Sequence, residues 1–190
     1  MKKIGVLDIQ GSVEEHAKAV ERAGAEFIFV KTAEDLKSVD GLIMPGGEST
    51  TIGKLLRKFG LRNAIIKRVK KGMPVWGTCA GAILLAKKII GREKADGLGL
   101  MNIVIERNAY GRQVDSFETK ILFGAGLKKK QIPAIFIRAP RIKEIGKNVK
   151  VLARNNNEVV AALQKNMLIT MFHPELTLDK TVHQFFIKMC

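Results

Sequence analysis

Pro74-Val75-Trp76-Gly77-Thr78-Cys79-Ala80-Gly81-Ala82-Ile83-Leu84-Leu85 is the stretch on which the reading of this chain turns. A short apolar run, a Gly-x-Cys-x-Gly turn and a second apolar run predict a strand, a sharp elbow and a helix. Gly77 and Gly81 permit a tight or strained backbone around Cys79 and leave room for close approach. The start of a helix is the positive end of its dipole, a setting in which a sulfur nucleophile is favoured. Backbone N–H groups in such a turn can also hold an oxyanion. A glycine-rich turn carrying a buried, inert cysteine has the same pattern, because free cysteine is often a small apolar residue. The stretch alone leaves both readings open.

Upstream, the chain alternates strand and helix. Ile4-Gly5-Val6-Leu7 reads as a buried strand ending at Asp8-Ile9-Gln10-Gly11-Ser12. Val13 to Ala23 has helical periodicity, with Ser12 as N-cap, Glu15 as its capping-box partner and Gly24 as the stop. Phe27-Ile28-Phe29-Val30 and Gly41-Leu42-Ile43-Met44 are two further strands. This rhythm predicts a parallel sheet with helices on both faces, whose ligands gather beyond the carboxyl ends of the strands. Asp8–Ser12, Pro45–Thr51 and Gly77–Gly81 then share that edge. Pro45-Gly46-Gly47-Glu48-Ser49-Thr50-Thr51 is not a phosphate-binding P-loop, because Gly53-Lys54 is followed by Leu55 and Glu48 stands where a glycine is required. Gly46-Gly47 suits a turn whose N–H groups meet an anion or a carbonyl oxygen, and Ser49, Thr50 or Thr51 serves as cap for a helix through Leu56.

Downstream of the elbow the pattern changes. Gly91 to Gly99 is loop-like, and Asn102–Glu106 and Val114–Leu122 alternate like antiparallel strands around the polar connection Arg107 to Gln113. Ala134–Pro140, Val149–Ala153, Val159–Leu163 and Met167–Phe172 read as further strands, and Leu178–Met189 as a closing amphipathic helix. The last of these strands runs into His173-Pro174-Glu175. A histidine beyond a buried strand, with a carboxylate two residues on, supplies a base and its orienter for a thiol nucleophile. Of the other two histidines, His16 lies in the first helix and His183 in the last, and each reads as a packed or exposed helix-face residue.

The 190 residues suit one domain over 1–190, with 46% hydrophobic and 27% charged residues as in a globular protein. No apolar run approaches bilayer-spanning length, and Met1-Lys2-Lys3 leads straight into a strand, so neither a membrane span nor a signal peptide is expected. Cys79 and Cys190 make neither a disulfide framework nor a zinc pattern, which points to a reducing cytoplasm. The 33 Lys and Arg against 18 Asp and Glu give a net charge of +15. These cations are scattered, for example Lys67-Arg68-Val69-Lys70-Lys71 and Lys128-Lys129-Lys130, and the chain has one Trp and one Tyr for base stacking. They read as solvated faces, and no nucleic-acid partner is expected.

Taken together these residues resemble the triad-type (class I) glutamine amidotransferases, and among them the glutaminase subunits of pyridoxal 5'-phosphate synthase. Gly77-Thr78-Cys79-Ala80-Gly81 with His173-Pro174-Glu175 carries the broad resemblance. The narrower one rests on Leu7 to Gly11 with Glu15-His16, on Pro45 to Thr51, on Arg107-Asn108-Ala109-Tyr110-Gly111-Arg112-Gln113 and on Phe136-Ile137-Arg138-Ala139-Pro140. Asp8-Ile9 before Gln10 departs slightly from the family's more apolar wording, and the basic surface is unusual for it.

The resemblance implies a flavodoxin-like, three-layer α/β fold with a central, mostly parallel sheet, helices on both faces and some antiparallel strands in the second half. It implies a glutaminase that converts L-glutamine to glutamate and ammonia through a Cys79 thioester, with His173 and Glu175 completing the triad. By the same resemblance Gly47, Glu48 and Ser49 contact the glutamine and Arg107, Ile137 and Arg138 complete its pocket. Gly47, through the Gly46-Gly47 peptide, and Ala80 supply the oxyanion hole. Gln10 and Gly11 lie near the contact with a separate synthase subunit, whose docking completes that hole and which receives the ammonia within a hetero-oligomeric complex. No metal or cofactor is implied. Three alternatives are a glutaminase serving another amination pathway, a Cys-dependent flavodoxin-like peptidase or deglycase, and a basic nucleic-acid-binding module.

Overall fold

The computed structural model describes residues 1–91, 97–107, 116–126 and 128–190. Its centre is a seven-stranded sheet built from β1 (Lys3–Leu7), β2 (Glu26–Val30), β3 (Gly41–Met44), β4 (Val75–Thr78), β10 (Lys150–Asn155), β11 (Glu158–Gln164) and β12 (Met167–Thr170), in the order β10-β11-β12-β4-β3-β1-β2. From β12 to β2 every pairing is parallel, while β11 and β10 close the other edge as antiparallel strands. Strands that are buried on both faces need near-continuous apolar runs, and β3, β4 and β12 are buried at every position.

Six helices accompany this sheet among the described residues: α1 (Val13–Arg22), α2 (Ala33–Lys37), α3 (Ser49–Lys58), α4 (Leu61–Lys70), α5 (Ala80–Leu85) and α6 (Thr181–Met189). Successive residues of a strand point to opposite faces. Trp76 and Thr78 of β4 therefore meet α1 and α6, through contacts with His16, His183 and Phe186. Gly77 points the other way, where a Cβ would overlap the backbone of Gly81 in α5. This gives the three-layer, flavodoxin-like architecture that the resemblance implies. A three-stranded sheet of β5 (Ala86–Ile90), β6 (Met101–Glu106) and β9 (Arg141–Ile145), and an antiparallel hairpin of β7 (Phe117–Ala125) and β8 (Lys128–Phe136), are added in the second half.

Several local expectations shift. Ser12 is the N-cap of α1, but its side chain caps no helical N–H, so the capping box with Glu15 is absent. Its hydroxyl is engaged instead by Glu175. The strand expected at Ala134–Pro140 begins earlier and ends at Phe136, so Ile137 to Pro140 lie beyond it, and Lys128-Lys129-Lys130 form an exposed part of β8. The strands β5 and β9 and the helix α2, five residues each, are too short and charged to show a period, and α4 is also absent from the expected elements although Leu61, Ile65 and Val69 recur at helical spacing. Asn108 to Gln113, the start of the strand predicted from Val114, and part of the Gly91–Gly99 loop lie outside the described residues.

Candidate active site

The parallel pairing of β4 with β12 brings distant residues together. Thr78 is in register with Thr170, and the Cys79 N–H donates to the Thr170 carbonyl at 2.9 Å. Cys79 thus leaves one strand beside the point where the chain of β12 runs on to His173. Cys79 itself carries the strain of the elbow, with φ 46° and ψ −100°. A non-glycine residue there costs about 1–3 kcal/mol. Gly77 and Gly81 serve close approach: a Cβ on Gly81 would overlap the Met44 carbonyl oxygen.

His173 and Cys79 lie side by side against Gly46. A Cβ on Gly46 would stand 2.5 Å from His173 Cε1 and 3.5 Å from Cys79 Cβ. The His173 ring is oriented by Glu175, with Nδ1 to Oε1 at 2.7 Å, and its backbone N–H donates to the Ile135 carbonyl at 2.8 Å. Pro174–Leu176 forms one 3-10 turn, which folds Glu175 back beneath the histidine, and its side chain is wholly buried. Burial disfavours the imidazolium of His173, but hydrogen bonding and charge from Cys79 and Glu175 outweigh it and raise the group to about 10. Burial also pushes Glu175 up, but His16, His173 and the Ser12 hydroxyl at 2.7 Å outweigh that and hold it at about 2. An acceptor carboxylate, an imidazole held by it and a sulfur beyond the imidazole make an arrangement that can activate a thiol and move its proton.

The two groups open on a cleft of about 520 Å³. Gln10, Gly11, Gly47, Glu48, Ser49, Arg107, Ile137 and Arg138 all line it, so the residues named from the resemblance share one wall system with Cys79 and His173. Ala80 follows Cys79 as the first residue of α5, and Glu175 lies behind His173 rather than on the wall. The Cys79 sulfur is 4.0 Å from the Ile137 carbonyl oxygen, and the next residue, Arg138, has φ 45°.

Glu48 caps α3, in place of the expected Ser49, Thr50 or Thr51. Its carboxylate accepts from the N–H groups of Thr50 at 3.2 Å and Thr51 at 2.7 Å and pairs with Arg107 at 3.1 Å. A carboxylate at this position meets two unpaired N–H groups and the positive end of the helix at once. Burial is the largest single influence and raises its pKa, but the Thr51 and Thr50 donors together overcome it, holding the group at about 2. The Gly46–Gly47 turn is tied to the loop after β1: the Gly46 carbonyl accepts from the Ser12 N–H at 3.2 Å, and the Gln10 Oε1 accepts from the Glu48 N–H at 2.8 Å. Gly11, at φ 110°, passes so close to Gly46 that a Cβ would overlap its carbonyl oxygen.

Sequence reasoning missed the polar layer beneath His173 and Glu175. His16 is fully buried, with Nε2 3.1 Å from Thr78 Oγ1 and 3.4 Å from Glu175 Oε2, and with Nδ1 3.2 Å from His183 Nε2. A signal existed: His16 shares a helical stripe with buried Val13, Ala17 and Val20, and His183 with Phe186. Among the described residues no three His, Cys, Asp or Glu side chains are gathered so as to hold a metal ion.

A family model described as the SNO glutamine amidotransferase family matches residues 6–190. The pyridoxal 5'-phosphate synthase subunit PdxT of Caldicellulosiruptor bescii is 53% identical over 192 residues, covering 99% of this chain and 98% of the relative. That of Thermoanaerobacter sp. is 47% identical over 188 residues, covering 98% of each. A crystal structure titled as a glutamine amidotransferase superposes with a TM-score of 0.92 at 44% identity, covering 98% of this chain and 97% of the other. PurLQS from Thermotoga maritima matches with a TM-score of 0.75 at 19% identity, over all of this chain and 96% of the other, which is a likeness of fold.

Proposed function

This chain belongs to the SNO glutamine amidotransferase family, and from that premise we propose that it is the glutaminase subunit of a pyridoxal 5'-phosphate synthase, acting as one domain over residues 1–190. It hydrolyses L-glutamine to L-glutamate and ammonia and hands the ammonia to a synthase subunit. The observation that carries the chemistry is the meeting of Cys79 and His173 over Gly46, with Glu175 2.7 Å behind the imidazole.

The reaction follows from that geometry. The Cys79 thiolate attacks the side-chain amide carbon of glutamine, and the carbonyl electrons move onto oxygen. The N–H groups of Gly47 and Ala80 hold this oxyanion, each such donor being worth about 10²–10³ in rate. The His173 imidazolium gives its proton to the departing nitrogen, releasing ammonia and leaving a glutamyl thioester on Cys79. His173, now neutral, takes a proton from water as it attacks the thioester carbon. Collapse of the second tetrahedral intermediate expels the Cys79 sulfur, releases glutamate and leaves both side chains ready for the next turnover. Glu175 keeps the ring in the tautomer and orientation that both transfers need. Arg107 and Arg138 suit the α-carboxylate of the substrate, and Gly47, Glu48, Ser49 and Ile137 shape its pocket.

The ties from Ser12 to Gly46 and from Gln10 to Glu48 support partner control. A synthase subunit docking on exposed Gln10 and Gly11 moves the turn that carries the Gly47 donor. The chain by itself is then a poor glutaminase, and mixing it with the synthase subunit raises glutamate formation; equal turnover in both states contradicts this. Among the described residues no helix is long and apolar enough to cross a membrane; the cytoplasm is the proposed place of work. The decisive experiment measures glutamate release by the complex for the unaltered chain and for Cys79→Ala. Lost turnover with complex formation retained is expected, and turnover retained by Cys79→Ala would sink the thioester mechanism.

A further inference from the structure

The wholly buried Glu175 side chain has one oxygen that the triad does not use. Oε1 accepts from both His173 and Ser12, whereas Oε2 is sealed from water and makes no hydrogen bond within the usual geometric limits among the described residues. The His16 Nε2 stands 3.4 Å from it, and the same nitrogen is 3.1 Å from Thr78 Oγ1. We propose, resting on the glutaminase reading above, that His16 is a positioning residue: its Nε2 edge, hydrogen-bonded to Thr78 Oγ1 and oriented by His183, stands against the second oxygen of Glu175 and thereby fixes the His173 ring toward Cys79.

The polarity of the chain runs consistently in one direction. An ionised carboxylate only accepts, so His16 must carry its proton on Nε2 to serve it. In the neutral ring Nδ1 then accepts, and His183 Nε2, 3.2 Å away, is the donor. That leaves His183 Nδ1 as a bare lone pair, and it is the one ring nitrogen of the pair with no partner among the described residues. A charged His16 would donate from both nitrogens, forcing His183 to carry an orphaned buried N–H, a costly arrangement. Trp76 confines both rings, edge to face at 5.4 Å from His16 and 4.8 Å from His183. Burial lowers the basicity of His16; Glu175 and Glu15 oppose this, and His173 reinforces it. Around His183, burial and then His16 lower it and Glu175 opposes, with Arg22 and Asp179 the remaining charges facing it. His16 therefore stays a neutral donor, able to steady Glu175 without competing with the imidazolium of His173 for its charge.

The test compares His16→Leu, His16→Gln and His183→Leu in the complex with the synthase subunit, with glutamate formation followed against pH. On the full chain alone, iodoacetamide alkylation of Cys79 is followed against pH by mass spectrometry. His16→Leu should lower kcat by up to about 10²-fold with little change in KM, as a small misplacement of a catalytic group does, and should shift the alkylation profile of Cys79. His16→Gln, whose amide N–H reaches toward the same oxygen, should recover most of both. If His16→Leu keeps the kcat and alkylation profile of the unaltered chain, the proposal is overturned. Equal impairment of the Leu and Gln variants alongside a common drop in Tm makes the role structural and overturns it too. Should His16→Leu not fold, His183→Leu decides: a smaller shift in the same direction supports the proposal, and an unmoved profile refutes it. Absence of turnover in the unaltered complex would instead refute the glutaminase reading, and the alkylation arm would still decide the role of His16.

Discussion

The smallest side chain in the cleft sets the spacing of the chemistry. Gly46 packs against both Cys79 and His173, and a methyl group there meets the imidazole Cε1 at 2.5 Å, a distance that forces the ring aside. Gly46→Ala is therefore expected to leave the fold in place while cutting glutaminase kcat in the complex by about 10²-fold or more, because reacting groups tolerate misplacement of only about 1 Å. Steady-state kinetics checks this, and an unchanged kcat would mean that the imidazole does not act from this position. Cys79, at φ 46°, shows the complementary device: the residue under strain is the proposed nucleophile, and the glycines beside it make room for the strain.

Among the elements, α3 ties the fold to the pocket. Its cap is a charged side chain that also anchors Arg107, so one carboxylate serves the helix start and the cleft wall together. Glu48→Ala should lower stability by about 1 kcal/mol, within the range for lost N-caps, and raise KM for glutamine as Arg107 loses its anchor. Urea unfolding and kinetics read the two effects separately. The serine and threonines of Pro45–Thr51 masked this role in the sequence, because their propensity for capping is as high as that of an acid. In α1 the expectation failed for a tertiary reason: a buried carboxylate 163 positions away competes for the Ser12 hydroxyl.

At the scale of the whole molecule, the buried ionisable layer makes stability depend on pH in three windows. Burial depresses His183 to about 3, and His16 is lowered as well, so between pH 6.5 and about 3 the unfolded chain binds more protons and stability falls on acidification. Glu175, depressed to about 2 from 4.5, adds a further loss below pH 4.5. His173, raised to about 10, contributes stability that is complete below pH 6.5 and is lost as pH rises toward 10. Urea midpoints at pH 4, 7 and 10 should be highest at pH 7, and His183→Phe should flatten the fall between pH 6.5 and 4. A midpoint as high at pH 4 as at pH 7 would show that the two histidines do not remain neutral in the folded state.

By itself the sequence determined the alternation of strands and helices in the first half, the parallel sheet and the position of the elbow, because apolar periodicity and glycine placement are local properties of the chain. It also singled out His173 and Glu175, since a histidine at the end of a buried strand is legible without coordinates. Tertiary structure alone decided which strands are neighbours, and so that Thr78 pairs with Thr170 and brings the sulfur to the imidazole. It also decided that Ser12 turns from its helix to Glu175, that Glu48 caps α3, and that His16 and His183 form a buried layer under the triad. Each of these depends on polar groups finding partners far away in sequence once water is excluded, and no local pattern encodes that competition.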